Sequence, residues 1–202
     1  MKKKLWLLFS LGIIVFSVSS FKLNHNAFLI ERDQVIDELS IGMKAFGGVI
    51  FYIDKTKKHG LVVSVENIGG DWSKYIWGCY GSSIDGAEGI KIGAGRINTN
   101  AIANTCADEL NAAQACLDYH GEGFTDWYLP SLEELEMISV NLGEDSEFSA
   151  ETNFDNCNYL SSSQIKNKKH RSNYAWSVNV VENYSMFSYK STKQKIRAIR
   201  TF

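Results

Sequence analysis

Four cysteines, Cys79, Cys106, Cys116 and Cys157, hold the most chemistry in this 202-residue chain. In an oxidising compartment an even set of cysteines forms disulfides. Zinc sites and redox pairs favour a C-x-x-C spacing, and none occurs, so metal and redox chemistry are both disfavoured. Three pairings of four cysteines exist in principle. Residues 101–119 read as one helix, with Ile102, Cys106, Leu110, Ala113 and Leu117 on an apolar stripe of helical period. On such a helix Cys106 and Cys116 stand about 15 Å apart at 1.5 Å per residue. A disulfide needs its Cα atoms within about 7 Å. The pairs left are Cys79–Cys106 with Cys116–Cys157, or Cys79–Cys116 with Cys106–Cys157. The short chain from Cys79 to Cys106 favours the first.

Other catalytic chemistry finds little support. His25, His59, His120 and His170 show no i, i+4 pair or ligand spacing. No nucleophile elbow or phosphate loop occurs. The nearest approach to a dinucleotide fingerprint is Gly93-Ala94-Gly95-Arg96-Ile97-Asn98, where Asn98 replaces the third glycine, and it reads as a turn. Asp126 beside Trp127 reads as structural, the carboxylate bonding backbone amides and the indole filling the core. Glu133, Glu134 and Glu136 suit a helix start. No catalytic residue, metal or cofactor is expected, and the chain reads as a binding protein, not an enzyme.

Charge points to binding. Residues 151–202 carry nine basic and three acidic side chains, a net of +6, whereas residues 21–150 carry nine basic and twenty acidic. The basic residues form two groups: Lys166, Lys168, Lys169 and Arg171, then Lys190, Lys193, Lys195, Arg197 and Arg200. Such asymmetry marks a surface for an anionic partner, or else lysines on solvated loops and strand edges, where they oppose sheet aggregation. The candidate ligand-binding residues are Lys166, Lys168, Lys169 and Arg171 on a loop, with Lys190 and Lys193. Arg197 and Arg200 lie in a strand and read as structural. Tyr184, Phe187 and Tyr189 offer rings for stacking.

These side chains need a scaffold, and the apolar pattern supplies one. Residues 47–54 and 61–65 read as two strands joined by the polar turn 55–60, a hairpin. The glycine-rich stretch 67–96 holds Trp72, Tyr75, Trp77 and Tyr80, too many large rings for a solvated loop, so they are expected to pack on the sheet. Pro130 keeps Leu129 extended. Ser131 and Glu134 form a capping box, starting a helix over residues 132–142 that Gly143 stops. Tyr174, Trp176, Val178 and Val180 alternate with Ala175, Ser177 and Asn179 as a half-buried strand, and residues 184–189 and 195–201 read as two more. Strands, two helices and strands again make an α+β domain.

At the N-terminus, Lys2, Lys3 and Lys4 precede an uncharged apolar run over residues 5–21 with small residues near Ser20. That layout is a secretory signal over residues 1–20, too short and serine-rich for the roughly 20 apolar residues of a spanning helix. Residues 21–41 then read as a linker and residues 42–202 as one domain.

An ordered series of motifs runs through that domain. It comprises Gly47-Gly48-Val49-Ile50-Phe51-Tyr52-Ile53-Asp54 with His59-Gly60-Leu61, Trp77-Gly78-Cys79-Tyr80-Gly81, and Asn98-Thr99 with Cys106. Then follow Asp126-Trp127-Tyr128-Leu129-Pro130-Ser131-Leu132-Glu133-Glu134-Leu135, Tyr159-Leu160-Ser161-Ser162-Ser163, Tyr174-Ala175-Trp176 and Arg197-Ala198-Ile199-Arg200. The series resembles the family of the domain of unknown function 1566, also known as the C-terminal domain of the Legionella collagen-like adhesin. The resemblance implies a C-type-lectin-like fold with long irregular loops and disulfide staples, and bacterial surface display. In the adhesin member it implies binding to sulfated glycosaminoglycans. It also marks Asp126, Trp127, Pro130, Trp176, Arg197 and Arg200 as motif positions. This chain has no collagen-like stalk, and Cys157 falls outside the family's regular pattern. The sugar-binding Glu-Pro-Asn or Gln-Pro-Asp loop of calcium-dependent lectins is missing, since Pro130 is the one proline.

The expectation is therefore an exported or cell-envelope binding or adhesion module. Its partner is a polysaccharide or glycosaminoglycan, or else a surface protein, with no nucleic acid and no membrane beyond an uncleaved export signal. A second alternative is a structural or assembly domain of the cell envelope that binds a protein partner, and a third, an enzyme related to the formylglycine-generating fold, requires a reactive pair of free cysteines.

Overall fold

The computed structural model describes residues 39–202 apart from positions 72, 73, 168 and 171. The expected export signal, the linker up to residue 38, Trp72, Lys168 and Arg171 lie outside the described residues. Among those described, no helix is long and apolar enough to cross a membrane. The architecture is α+β, and among the described residues it comprises two small antiparallel sheets, three short α-helices and one disulfide.

Strands β2 (Gly48–Ile53) and β3 (Gly60–Val63) form the expected hairpin, Val49 opposite Val63 and Ile53 opposite Gly60. The Asp54 carboxylate ties the turn by accepting from the Thr56 amide and hydroxyl at 3.0 and 2.7 Å. Strand β1 (Lys44–Ala45) flanks β2, and the last strand, β7 (Ile199–Thr201), flanks β3, giving the order β1-β2-β3-β7. Val49, Phe51, Leu61 and Val63 enter one apolar cluster, and Ile50 and Val62 enter another. Both faces of the hairpin are therefore buried, which explains its continuous apolar runs.

The second sheet has the order β4-β5-β6, from β4 (Asn158–Gln164), β5 (Tyr174–Asn179) and β6 (Tyr184–Tyr189). Strand β4 is not evident in the sequence because Ser161, Ser162 and Ser163 interrupt its apolar character. All three are fully buried. Their hydroxyls are satisfied inside: Ser161 donates to the Trp176 carbonyl at 2.9 Å, Ser163 donates to Gly89 at 2.6 Å, and Ser162 accepts from Asn98 at 3.2 Å. The expected alternation of β5 also needs correction. Ala175 and Ser177 are fully buried, whereas Tyr174 and Trp176 are only half-buried.

The single helix expected over residues 101–119 is two. Helix α1 (Gly95–Thr105) starts within the glycine stretch read as a turn, and α2 (Ala112–Leu117) follows a break. Two local forces make the break. The Asn111 side chain caps α2, accepting from the Ala113 and Gln114 amides at 2.9 and 3.2 Å. The backbone on either side pairs with Ile76, whose amide donates to Leu110 and whose carbonyl accepts from Ala112. Leu110 consequently leaves the apolar stripe and is exposed. Helix α3 (Leu132–Leu142) has the expected capping box, with the Ser131 amide donating to Glu134 at 2.7 Å.

Cys79 and Cys106 are bonded, with Cα atoms 5.3 Å apart and a sequence separation of 27. A loop of that size stabilises the fold by about 3.5 kcal/mol in the chain-entropy description. The second expected bridge is overturned: Cys116 and Cys157 are free thiols. Cys116 is sealed in the cluster containing Trp77 and Trp127, and Cys157 packs on the edge of the other cluster, beside Tyr159.

The expected strand over residues 195–201 pairs as a strand only at Ile199–Thr201. The residues before it run as a seam between the sheets. Gln194 bridges Tyr75, Lys195 bridges Tyr159, and the Ile196 and Ala198 carbonyls accept from the Ile68 and Ser64 amides. Arg197 anchors this seam from inside. Its Nε donates to Asn67 at 2.9 Å, and its terminal nitrogens donate to the carbonyls of Ser64, Val65, Thr152 and Asn153, with the Phe154 ring 4.4 Å beneath. Lys195 adds an ion pair to Asp155, which also accepts from Asn67 at 2.8 Å.

Two predictions follow from the seam. R197K cannot reproduce the five-donor fork, and each buried carbonyl left bare costs about 1–3 kcal/mol. Chemical denaturation should therefore show a loss of about 3 kcal/mol or more. The hydrogen bond from Lys195, opposed by partial burial, holds the Asp155 carboxyl below its ordinary value. As pH falls the unfolded chain takes up that proton first, so this stability is complete above about pH 5 and is lost in acid. The urea midpoint should drop between pH 6 and about 3, and drop less in D155N. Equal drops in both proteins would remove Asp155 from the account.

Candidate functional site

The sequence-derived site residues divide sharply in the structure. Lys166 and Lys169 are exposed on the loop between β4 and β5, and Lys193 is exposed after β6. Lys190 is not a surface residue, which corrects its assignment as a ligand contact. It is fully buried, its ammonium donating to the Ser82 carbonyl and Gln164 at 2.8 and 2.9 Å and sitting 4.1 Å over the Trp77 ring. Besides its own backbone amide, Asp126 has a partner that the sequence did not suggest. It holds Arg200 through two hydrogen bonds at 2.6 and 3.2 Å. Burial opposes the charged form of Asp126, and Arg200 outweighs it, keeping the pKa low. Arg200 also donates to the Phe46 carbonyl and lies 3.8 Å over the Phe124 ring. Trp127 fills the core, its indole donating to Gly121 at 3.3 Å. The Pro130 carbonyl accepts from Ser162, joining α3 to β4.

What the structure does bring together is aromatic. On β5 and β6 the register places Tyr174 opposite Tyr189 and Trp176 opposite Phe187. Residues opposite one another share a face. Tyr174 and Tyr189 stack at 4.5 Å, and Trp176 and Phe187 pack at 4.3 Å. Tyr80 meets Tyr189 edge-on at 6.1 Å, and His170 meets Tyr174 at 5.9 Å. Tyr80 and Phe187 are each 53% exposed and Tyr189 is 48% exposed. The rings form a continuous ledge, beside which Ile165, Asn167, His170, Tyr174 and Phe187 line a cavity of about 340 Å³. Interaction with the Tyr189 hydroxyl, and after it burial, raises the Tyr174 pKa above its ordinary value. Tyr184 lies on the opposite face of β6, so only two of the three sequence-derived stacking residues join the ledge.

Each wall of this ledge has a defined support. The apolar cluster that holds α3 takes in Val178 and has Trp176 packed at its edge on the same sheet face, and the Ser185 hydroxyl donates to Glu136 at 2.6 Å. The rings beyond that cluster are left uncovered. Tyr80 is held by the neighbouring disulfide and by the Gly81 amide, which donates to Ser172 at 2.9 Å. Cys79 has a left-handed φ of 51°, with its amide donating to Asp108 at 2.8 Å. The loop carrying Lys166 and Lys169 is closed by His170 donating to Asn167 and Asn173 donating to His170. Sequence reading missed Tyr80, Tyr174, Trp176 and His170 as neighbours. The parity of β5 against β6 was the available signal for Tyr174 and Trp176.

Covalent and metal chemistry have weak footing at these positions. Burial pushes the Cys116 thiol far up and raises Cys157 as well, and a raised thiol pKa suppresses the nucleophilic thiolate. Among the described residues, the grouping of metal-type donors is Cys79, Cys106 and Asp108, and both sulfurs are spent on the disulfide. No family model matches the chain, and no curated protein matches it.

The two free thiols make a direct test of the covalent framework. Two of the four cysteines should react with a thiol reagent in denaturant without reductant. In the native protein Cys116 should stay silent and half-buried Cys157 should react slowly. Zero reactive thiols in denaturant would restore the second bridge.

Proposed function

We propose that this protein is an exported envelope module with a C-type-lectin-like fold, one that binds an anionic glycan on the aromatic ledge. The observation that carries the reading is the shared use of residues 165–173. This loop walls the cavity beside the ledge and also bears Lys166 and Lys169. Sugar rings present C–H faces that lie flat on exposed aromatics, and lysines at the rim pair with sulfate or carboxylate groups. The ledge supplies the flat apolar surface and the loop supplies the charge. The resemblance to the domain of unknown function 1566 family supports the same reading, as does the export-like N-terminus.

A binding role accounts for the ledge better than catalysis does. Its rings carry no nucleophile, and the two free thiols lie in separate apolar clusters with raised pKa values. A contiguous exposed apolar patch on a folded domain marks an interaction site.

The test is retention on immobilised heparin at rising salt. The wild-type protein should be retained at low salt and elute as ionic strength screens the contacts. The variant with Lys166, Lys168, Lys169 and Arg171 changed to alanine should elute early. Y189A, which keeps the charge and removes a central ring, should weaken binding by about three- to tenfold. No wild-type retention at low salt would overturn the anionic-glycan reading and direct attention to a protein partner.

A further inference from the structure

Strand β6 has the sequence Tyr184-Ser185-Met186-Phe187-Ser188-Tyr189, without charge, proline or glycine. It pairs with β5 over its whole length without a register shift, so it is regular up to its outer side. That outer side is a sheet edge: among the described residues β6 is joined to no strand but β5. Tyr184, Met186, Phe187 and Tyr189 are all exposed. Protein sheets commonly blunt such edges with lysine, proline, a bulge or a covering loop. Here none of these devices is present within the strand.

The charge around β6 is polar along its length. Glu182 is exposed just before the strand, and Glu136 touches it through Ser185. Lys193 is exposed just after it, and Lys166 and Lys169 lie on the loop that precedes Tyr174, the partner of Tyr189. One end is thus acidic and the other basic. A parallel approach of two such edges would set like charges together. An antiparallel approach sets the acidic end of each against the basic end of the other.

We propose that β6 pairs antiparallel with β6 of a second copy of this chain, forming a symmetric dimer with one continuous six-stranded sheet. Residues that face each other across the two-fold must lie on the same side of the sheet, so the axis falls on a residue and not between two. With the axis at Phe187, the most exposed side chain of the strand, Phe187 faces its own copy and Ser185 faces Tyr189. Position 182 then faces position 192, which brings Glu182 beside Lys193 at both ends. The axis is perpendicular to the sheet, so the two aromatic ledges lie on the same side. The dimer itself does not depend on what the ledge binds.

Sedimentation of the chain as exported and processed by cells tests this, with no ligand added. The protein should sediment as a dimer at about 100 µM and dissociate on dilution. M186K, which places a charge on the edge, should be monomeric with an unchanged melting temperature. E182K should weaken the dimer by about threefold or more, and E182K with K193E should recover it. F187C should form an intermolecular disulfide under mild oxidation, because the two thiols meet on the axis. A wild-type monomer at about 100 µM, or a dimer indifferent to M186K, would overturn the proposal. Failed glycan binding would leave these results intact, so the two ideas fail separately.

Discussion

The guanidinium of Arg197 is almost completely buried, and all five of its hydrogen bonds end on uncharged oxygens. Burial lowers its pKa, with Tyr159 and Asp155 opposing that shift. Four of the five oxygens are backbone carbonyls from two stretches, residues 64–65 and 152–153, that belong to no strand ladder at those positions. Buried carbonyls without donors are costly, so one cation lets two irregular stretches pass through the interior. The same device recurs nearby. Gln164 closes a two-way pair with Ile84, Asn98 does so with Gly89, and Glu134 accepts from the Gly93 and Ser131 amides. Long loops are held here by buried polar side chains where another fold would use strands.

That arrangement governs how much of the fold was legible in the sequence. The hairpin β2–β3 and helix α3 were plain because their apolar period and turn residues are local signals. The capping box at Ser131 and Glu134 was also plain, though not that Glu134 reaches Gly93 across the loop. Strand β4 was hidden because its three serines are buried for their hydroxyls, a need set by partners up to 74 residues away. The helix break before Asn111 was hidden for a similar reason, since Ile76 draws that backbone into a bridge. Periodicity reports burial of apolar surface, and it is silent where burial is achieved by hydrogen bonding.

The aromatic ledge arises from incomplete coverage. Strand β5 presents Tyr174, Trp176 and Val178 to one face, where Val178 is buried in the apolar cluster that holds α3 and Trp176 packs at its edge. Its other face carries Ala175 and Ser177, small enough to sit against the neighbouring core, where Ser177 and Ser188 share a hydrogen bond at 2.6 Å. The sequence alternation was therefore read with its buried and exposed faces exchanged at the ledge end. The larger rings are the outward ones. A pattern of big and small residues on a strand shows that its faces differ. Which face is covered depends on a helix elsewhere in the chain.

The basic run near the C-terminus carries the same lesson for charge, with a consequence for binding. Of Lys190, Lys193, Lys195, Arg197 and Arg200, four are buried or nearly so. They are spent on Gln164 and Ser82, on Asp155, on backbone carbonyls and on Asp126. A buried cation is tolerated only when paired or hydrogen-bonded, and each of these is. The net charge of residues 151–202 thus overstates the positive surface, since most of the second cluster cannot reach a partner. Lys166, Lys169 and Lys193 remain as the exposed lysines of this region among the described residues. Exposed ion pairs contribute little each, about 1 kcal/mol or less. In a ligand complex at this site, the rings of the ledge would therefore carry most of the affinity, and the lysines would choose among ligands by charge.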